Sequence, residues 1–465
     1  MRGIMIAAAK SGSGKTTVTR ALMLLLKKEG FSVVPFKSGP DFIDPMYHEQ
    51  ITEIRGHNLD TFFTDDKTTR RLFARDCSDV PCNTPEDKRI AVAEGVMGLY
   101  DGLGGFSPEG SSYDLAETLG MPIILCLDAR GAAQTLLSVI AGIISFDKKK
   151  LIRGIFLNKV SDSFFPVIAQ KIEEFTKIPV IGHLPNDGKL QVKSRHLGLF
   201  LPQDSDSVGQ NRILLEEISK RCDILKLVKI AEMDDIDIRA DRNSDAAEET
   251  RKRPENRAKI AVARDSAFGF LYRENEFALE DAGAGIEYFS PLIDEKLPDG
   301  TSGLILPGGY PENYIDELSE NKPMLDSIRE AWNLGMPVIA ECGGFMYLHD
   351  TIGGRGELTG ILHGDCFYTG RSVRFGYLEA CDKVHFFVKE GSKIRGHEFH
   401  YYDVRDTGNG ARVRKASSEK AWDEGFADEK HFLGFMHFYY PSCLSFPAHF
   451  VDEAVNYGRK IQEQF

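Results

Sequence analysis

The chain has 465 residues, of which 57 are basic and 70 acidic, so its formal net charge is −13; 42% of its residues are hydrophobic and 27% charged. This length predicts two or three domains, since single hydrophobic cores stop growing near ~250–300 residues. The composition excludes collagen-like, disordered and disulfide-scaffold chains, and the acidic balance disfavours a nucleic-acid partner. Because no apolar segment approaches the ~20 residues of a membrane span, we expect no membrane partner and a reduced, cytoplasmic protein.

The first half of the chain alternates predicted strands and helices. Residues 2–9 predict a strand, which a glycine- and serine-rich loop connects to a helix ending near Gly30. Five further apolar runs predict strands: FSVVPFK, RIAVAEGVMG, MPIILCLDA, LIRGIFLNKV and IPVIGHLP. Such alternation is typical of an α/β fold with a doubly wound parallel sheet, whose ligands lie beyond the carboxyl ends of the strands. We assign residues 1–230 to this domain.

A second α/β series follows a charged segment. Residues 231–257 have few large apolar side chains and mixed charge, which predicts a solvated linker. The apolar runs KIAVARD, GIEYFSP, GLILPGG and MPVIAECGG then predict a second α/β domain over residues 258–465.

Residues 9–16, AKSGSGKT, match the phosphate-binding P-loop pattern except that Ala9 replaces its first glycine. Backbone N–H groups of such a loop bind phosphate oxygens, while Lys15 reaches the β- and γ-phosphates and the Thr16 hydroxyl ligates Mg²⁺. Lys10 is interpreted as solvent-exposed; the alternative is a lysine that reaches across a dimer, as in partner-switching ATPases. The predicted nucleotide-binding residues are Gly12, Ser13, Gly14, Lys15, Thr16 and Thr17.

Acidic residues follow two of the predicted strands. Asp41 and Asp44 lie in KSGPDFIDP, and Glu94 and Asp101 lie in AEGVMGLYDG. Since a bound magnesium nucleotide requires oxygen ligands, Asp41 and Glu94 are the predicted partners of Mg²⁺ or of a substrate carboxylate. The alternative interpretation makes Asp44 and Asp101 turn or cap residues.

Cys342 lies between a predicted strand and a predicted helix in VIAECGGFMYL. This pattern is typical of a nucleophile elbow, and the helix N-terminus is expected to lower the pKa of the thiol. A cysteine nucleophile requires a base, for which His437 is the leading candidate and His397 and His400 are rivals. The glycine pair Gly308 and Gly309 in LPGGYPE is the candidate oxyanion hole. The alternative for Cys342 is a buried, inert thiol.

The motifs of the two halves follow one another in the order found in one protein family. They are GSGKTTVT, KSGPDFIDPMYH, NLD, AEGVMGLYDG, LDARG, LNKV, GHLP, SRHLGL, LPGGYPE, AECGGFMYL, RGHEFHYY and GFMHFYYP. In this combination the chain resembles the cobyrinic acid a,c-diamide synthases, which are glutamine-hydrolysing amidases of corrinoid biosynthesis. The resemblance covers about residues 3–450, except for the linker.

The resemblance implies an N-terminal synthetase domain related to dethiobiotin synthetase and a C-terminal class I glutamine amidotransferase domain. In such enzymes a thiolate releases ammonia from glutamine, and ATP activates the a and c carboxylates of the macrocycle as acyl phosphates. By this resemblance Cys342 is the nucleophile and His437 its activator. Asp41, Asp44 and Glu94 then form the synthetase centre, and Lys37 contacts phosphate. ATP, glutamine, Mg²⁺ and a corrinoid are the implied ligands, and a homodimer is left open.

The chain departs from the pattern of many class I amidotransferases after the histidine. Many class I amidotransferases follow it with Pro-Glu, whereas Phe438 and Tyr439 follow His437, so the sequence shows no acidic third member. A Cys–His pair without an orienting carboxylate predicts weaker glutaminase activity unless another group orients the imidazole.

Residues 194–199 are interpreted either as a corrin-binding surface or as a helix cap with a basic pair.

Two kinds of alternative function stay open. The first is the same reaction on hydrogenobyrinic acid or nickel-sirohydrochlorin, or a cobyric acid synthase. The second is a partner-switching ATPase with an inactive amidotransferase-like module, which Lys10 favours and which Cys342 and His437 disfavour.

Overall fold

The computed structural model describes residues 1–78, 80, 84–190, 194–195, 198–199, 206–233, 258–382 and 391–464. The chain divides into two compact units, Met1–Arg242 and Asn243–Phe465. Most of the predicted linker, residues 234–257, lies outside the described residues. Of residues 194–199 only the backbone strands Ser194–Arg195 and Gly198–Leu199 are described, so their predicted role in corrin binding remains a prediction.

The first unit is a parallel α/β sheet, as predicted. Among its described residues, seven strands pair in the order β3-β2-β4-β1-β5-β6-β7, and every pairing is parallel. These strands are β1 Arg2–Ala8, β2 Ser32–Ser38, β3 His57–Leu59, β4 Arg89–Glu94, β5 Ile123–Asp128, β6 Ile152–Asn158 and β7 Val180–Leu184, and the pair β8 Ser194–Arg195 and β9 Gly198–Leu199 follows them. The sequence prediction missed β3, whose three residues are too few to show a periodicity.

Helices connect these strands. They are Lys15–Lys28, Ile43–Thr52, Asp66–Asp76, Ser112–Leu119, Gln134–Phe146, Phe165–Thr176, Ser207–Arg221 and Ile224–Ile230, with 3₁₀ turns at Glu86–Lys88, Leu103–Gly105 and Gly188–Leu190. The first helix ends where the sequence predicts. Gly30 has φ 80° and its N–H bonds to the Lys27 carbonyl, while the Phe31 N–H bonds to the Leu26 carbonyl, both at 3.0 Å. This is the Schellman arrangement, which favours glycine.

The second unit contains a mixed sheet with both faces covered. Its strands are β10 Ala258–Ala263, β11 Phe268–Phe270, β12 Ala284–Phe289, β13 Gly303–Leu306, β14 Gly308–Gly309, β15 Val338–Glu341, β16 Thr351–Ile352, β17 Asp365–Asp382, β18 Lys393–Asp403, β19 Ala411–Lys415, β20 Ala421–Glu424, β21 Phe426–Ala427, β22 His431–Gly434 and β23 His437–Phe438. The main sheet has the order β12-β10-β13-β15-β22-β21, and only the β21–β22 pairing in it is antiparallel. Along β13, Leu304 and Leu306 pack in one apolar cluster and Ile305 in another, so the sheet separates two cores.

A second sheet of this unit is antiparallel, with the order β20-β19-β17-β18-β23. The sequence did not predict it. The helices of the unit are Arg273–Asp281, Ile315–Glu320, Lys322–Asn333, Gly343–Tyr347 and Ser445–Gln464, with 3₁₀ turns at Pro311–Asn313 and Tyr440–Ser442. In both units the predicted site residues lie at or just beyond the ends of strands, where side chains from neighbouring strands meet.

Candidate active sites

The loop between β1 and the first helix has the backbone of a phosphate cradle. Gly14 caps the helix with φ 91°, and a Cβ on it would lie 2.1 Å from Nδ2 of Asn158, so only glycine fits. Asn158 donates from Nδ2 to the Ser13 carbonyl at 2.9 Å, and the Ser13 hydroxyl donates to the Lys10 carbonyl at 2.8 Å. The loop is therefore held by the end of β6, while Lys10 is exposed, as the favoured interpretation has it.

Glu94, at the end of β4, contacts three other side chains of this site. The Thr16 hydroxyl donates to its Oε1 at 2.6 Å, and Nε2 of His48 lies 2.9 Å from its Oε2. Lys37, at the end of β2, lies 3.3 Å from Oε1 of the same carboxylate. Glu94 and His48 are fully buried. Strand pairing explains why the Lys37 and Glu94 side chains lie close together, because the two residues are register partners in β2 and β4.

The Lys37 ammonium lies among three carboxylates. It contacts Asp44 directly, and it lies 3.3 Å from Glu94 and 3.7 Å from Asp41. Asp44 is thus a buried member of the site rather than a simple turn residue. Asp41 also accepts the backbone N–H groups of Ile43 and Asp44 at 2.9 and 3.1 Å, which holds the start of the second helix. Asp101 is the turn residue, because its carboxylate accepts the Gly98 N–H at 3.0 Å.

Burial and neighbouring charges shift the pKa values in this cluster. Burial alone disfavours the charged form of Lys37, but Asp44, Glu94 and Asp41 outweigh it and raise the pKa of its ammonium. Burial raises the pKa of Glu94, yet Lys37, His48 and Thr16 reverse this and hold it below the usual range. Burial, with Asp41 and Glu94, raises the pKa of Asp44 well above normal. The partners of Glu94 thus favour its anion, whereas burial and two neighbouring carboxylates oppose the ionisation of Asp44.

Lys15 is positioned for an incoming anion. Its ammonium donates to the Met97 carbonyl, and burial together with Lys37 lowers the pKa of the group. A bound phosphate would relieve both effects by adding negative charge next to the ammonium.

The predicted nucleotide-binding residues, except the buried Ser13, line one cavity of about 440 Å³. The cavity also reaches residues beyond β6 and β7 that the sequence analysis did not select. Its lining includes Gly12, Gly14, Lys15, Thr16, Thr17, Lys37, Asp41, Asp44, Glu94, Met97, Asn158, Lys159, Pro185, Asn186 and Asp187. The set combines ammonium groups with a carboxylate and hydroxyl cluster, a donor set suited to a polyphosphate and to Mg²⁺.

In the second unit, Cys342 lies on a sharp turn directly after β15. Its φ of 47° and ψ of −104° are unusual for a residue with a side chain. The Cys342 N–H donates to the Gly434 carbonyl at 2.8 Å, and the Gly434 residue pairs with Glu341 in the β15–β22 register. This strained strand-to-helix turn is the predicted nucleophile elbow.

Two glycine pairs allow the elbow to approach the candidate oxyanion loop. A Cβ on Gly344 would lie 1.9 Å from the Leu306 carbonyl, and a Cβ on Gly343 would lie 2.9 Å from the Gly309 nitrogen. A Cβ on Gly308 would lie 2.2 Å from Cε1 of His437. The structure therefore brings Gly308 and Gly309 beside the cysteine turn and the imidazole.

Of the three candidate histidines, His437 is the one placed against this loop. His397 stacks on it, with ring centroids 4.9 Å apart and planes at 13°. His400 lies apart from this pair in its contacts, since its Nε2 is 2.6 Å from the Glu398 carboxylate and its ring stacks on Phe435. His437 is therefore the candidate base that lies against the glycine loop, and His397 is its stacked neighbour.

The expected lowering of the thiol pKa is wrong. Burial raises the pKa of Cys342, and the carboxyl groups of Glu312, Glu398 and Glu341 raise it further. A hydrogen bond from the Gly343 N–H, at the start of the five-residue helix Gly343–Tyr347, lowers the pKa, but burial outweighs it. Burial also lowers the pKa of His437 well below normal, helped by His397 and His400. Burial therefore favours the neutral thiol and the neutral imidazole.

The residues of these sites that sequence reasoning missed include His48, Asn158, Lys159 and Glu341. His48 lies four residues after Asp44 in helix Ile43–Thr52, a spacing that places both on one face, so this signal was readable. Glu341 precedes the cysteine, but its side chain meets His437 only through the fold, with Oε2 4.0 Å from Nδ1.

Comparison with known proteins matches one family model to each half of the chain. The profile of the CobQ/CobB/MinD/ParA nucleotide binding domain matches residues 4–199, and that of the CobB/CobQ-like glutamine amidotransferase domain matches residues 259–440. A cobyrinate a,c-diamide synthase of Caldanaerobacter subterraneus subsp. tengcongensis is 37% identical over 99% of this chain and 100% of its own. Those of Clostridium tetani (36%, over 94% and 96%) and Picrophilus torridus (34%, over 98% and 99%) are similar to it along nearly their whole length. Within the described residues, no helix has the length and apolar character needed to cross a membrane.

Proposed function

Since the chain belongs to the family of cobyrinate a,c-diamide synthases, we propose that it converts the a and c carboxylates of cobyrinic acid to amides in cobalamin biosynthesis, using ATP and glutamine. The observation that carries the proposal is that each of two described sites suits one half of this chemistry. One site is a phosphate cradle with a lysine–carboxylate cluster, and the other is a thiol on a strained turn beside a histidine and a glycine loop.

The first half of the reaction activates a carboxylate. Its oxygen forms a bond to the γ-phosphorus of ATP as the bond to the ADP oxygen breaks, which gives an acyl phosphate. Ammonia then attacks the acyl carbon, and phosphate leaves with the electrons of the C–O bond. Lys15 and the loop N–H groups of Gly12–Thr16 are the proposed phosphate ligands, and Lys37 is the proposed partner of the transferred phosphoryl group.

Mg²⁺ is part of this proposal. Thr16, Glu94 and Asp41 supply a hydroxyl and two carboxylates, the oxygen ligands that the ion prefers; the Thr16 hydroxyl donates to Glu94, and both carboxylates lie beside the Lys37 ammonium. When bound, the ion would reduce the repulsion between the anionic nucleotide and the anionic substrate. Asp44, which contacts Lys37, is proposed to hold the ammonium in place.

The second half supplies ammonia. The Cys342 thiol gives its proton to His437, and the thiolate attacks the side-chain carbon of glutamine. The Gly308 and Gly309 loop is proposed to stabilise the oxyanion that forms there. The C–N bond then breaks, and ammonia leaves with the proton from the imidazolium. Water hydrolyses the thioester and releases glutamate.

The decisive experiment is a product assay by mass spectrometry on the full chain with ATP, Mg²⁺ and glutamine. Cobyrinic acid, hydrogenobyrinic acid and nickel-sirohydrochlorin are offered separately, and we expect two amidations, each adding one nitrogen, of cobyrinic acid. Preferential amidation of another tetrapyrrole would change the substrate assigned. ATP hydrolysis with no amidation of any of them would favour a partner-switching ATPase.

Location and assembly are also proposals. A ligase that consumes ATP is proposed to work in the cytoplasm, and a homodimer is proposed as its assembly. Sedimentation equilibrium of the full chain measures the second, for which a mass near twice 51.9 kDa is expected.

A further inference from the structure

Glu341 is a buried acid that the resemblance leaves without a role. It ends β15, directly before Cys342, and its side chain is 2% exposed. Its Oε2 lies 4.0 Å from Nδ1 of His437, whose side chain is 3% exposed. In the described parts of the chain, no lysine or arginine lies within ion-pair distance of Glu341; the ionisable group of opposite sign beside it is the imidazole of His437.

The other oxygen of this carboxyl group is fixed by the chain that carries the histidine. Oε1 accepts the Phe438 N–H and the Tyr440 O–H, each at 3.4 Å. The Tyr440 backbone is held in turn, because its N–H donates to the Asn275 side chain at 2.7 Å. The carboxyl group therefore faces His437 while two contacts from the following residues restrict its movement.

The strand pairing produces this arrangement. β15 and β22 are parallel neighbours, and Glu341 is the register partner of Gly434. The chain reaches His437 three residues after Gly434, so the imidazole returns to the end of β15, where Glu341 and Cys342 lie. The chain lacks the acid that many class I amidotransferases place two residues after the histidine, and an acid from another strand lies 4.0 Å from the imidazole instead.

We propose that Glu341 is the positioning residue of the glutaminase site, and that its carboxylate accepts a hydrogen bond from Nδ1 of His437 so that Nε2 faces the Cys342 thiol. This deepens the proposed function and rests on it. The 4.0 Å separation must close by about 1 Å for this bond, a tightening that catalytic contacts often show when substrate binds.

The charges in the pocket favour this role. The thiol proton passes to Nε2 of His437, and the imidazolium then carries a proton on each nitrogen. Its Nδ1–H faces the carboxylate of Glu341, which stabilises the positive charge. Burial raises the pKa of Glu341 to about 8, so the group ionises in the range where a nearby imidazolium would favour its anion.

A pH test must account for the other ionisable groups around this pair. Tyr440 faces Glu341, and His397 and His400 act on His437. Glu312 and Glu398 act on Cys342. Because these groups remain in a Glu341→Gln variant, the difference between its pH profile and that of the unchanged protein isolates Glu341.

The experiment compares glutamine-dependent and ammonia-dependent amidation in the full chain. Glu341→Gln is expected to lower kcat with glutamine by about 10²-fold, the contribution typical of acid–base positioning, with little change in KM. The variant should also lose the rise in glutaminase rate near pH 8. Ammonia-dependent amidation should persist. Glu424→Gln, which alters another buried glutamate of the same unit, is the matched control and should leave both rates unchanged.

Glu341→Asp keeps the charge and should recover part of the lost kcat together with the rise near pH 8. Unchanged glutamine-dependent kcat and an unchanged pH profile in Glu341→Gln would overturn the proposal. If that variant does not fold, an Asp variant with the same kcat and profile as the unchanged protein would overturn it instead. Loss of ammonia-dependent amidation in a folded protein would count against the proposed function itself.

Discussion

Gly308→Ala tests whether the imidazole of His437 must stand where it does. A Cβ at position 308 would lie 2.2 Å from Cε1 of His437 and 3.2 Å from both ring nitrogens, whereas ordinary contact begins at 3.4 Å. Gly308 does not have a positive φ, so the added methyl group acts through sterics alone. The imidazole is 3% exposed and packed against His397, so it must move by about 1 Å. A displacement of that size costs about 10²-fold in rate, or ~2.7 kcal/mol in the barrier.

The assay is the amidation of cobyrinic acid with either glutamine or ammonia as nitrogen donor. Gly308→Ala should lose about 10²-fold of the glutamine-dependent rate and keep the ammonia-dependent rate. Gly458→Ala is the control, because its Cβ would meet its nearest neighbour, Ser302, at 3.4 Å in the same unit. A folded Gly308→Ala protein with an undiminished glutamine-dependent rate would show that the position of the imidazole does not limit ammonia release.

Three further outcomes are expected. Cys342→Ala should abolish glutamine-dependent amidation but spare the ammonia-dependent reaction, as mass spectrometry of the product would show; survival of the first reaction would remove Cys342 as the nucleophile. Lys37→Met leaves three carboxylates without their ammonium and should destabilise the fold by about 3–5 kcal/mol in chemical denaturation, whereas Lys27→Met, which breaks a surface pair, should cost below ~1 kcal/mol. Burial, with Glu398 nearby, raises the pKa of Glu424 to about 8, so between pH ~4.3 and 8 the native state binds more protons than the unfolded chain and the free energy of unfolding falls as pH rises. Glu424→Gln should flatten that slope in urea titrations, and an equal slope in both proteins would refute the assignment.

Local patterns predicted the parts of these sites that a short stretch of chain determines. The P-loop, the cysteine turn and the six longer strands of the first unit each show their residue pattern within a few positions. The antiparallel sheet was not predicted because its longest strand, Asp365–Asp382, is interrupted by register shifts near Val373 and Gly376, which break the period-2 pattern.

What the sequence could not predict depends on contacts between distant segments. Glu341 and His437 are nearly a hundred positions apart and meet because β15 and β22 are neighbours. The prediction that the pKa of the Cys342 thiol is lowered was wrong for the same reason. A helix N-terminus is visible in the sequence, but the burial of Cys342 and its three acidic neighbours arises only when the chain folds.

The two sites use charge in opposite ways, and each suits its substrate. Lys37 and Glu94 are held in their charged forms by mutual pairing, so the first site presents fixed charges of the kind that a polyanionic nucleotide and a divalent ion require. Burial favours the neutral forms of Cys342 and His437 instead, so the resting thiol is a weak nucleophile. The proposed reaction moves a proton from sulfur to imidazole, and a nearby carboxylate would favour that transfer by stabilising the imidazolium. Glutamine activation as proposed therefore separates charge within a buried pocket, and the Glu341 carboxyl group lies 4.0 Å from the imidazole that would carry the positive charge.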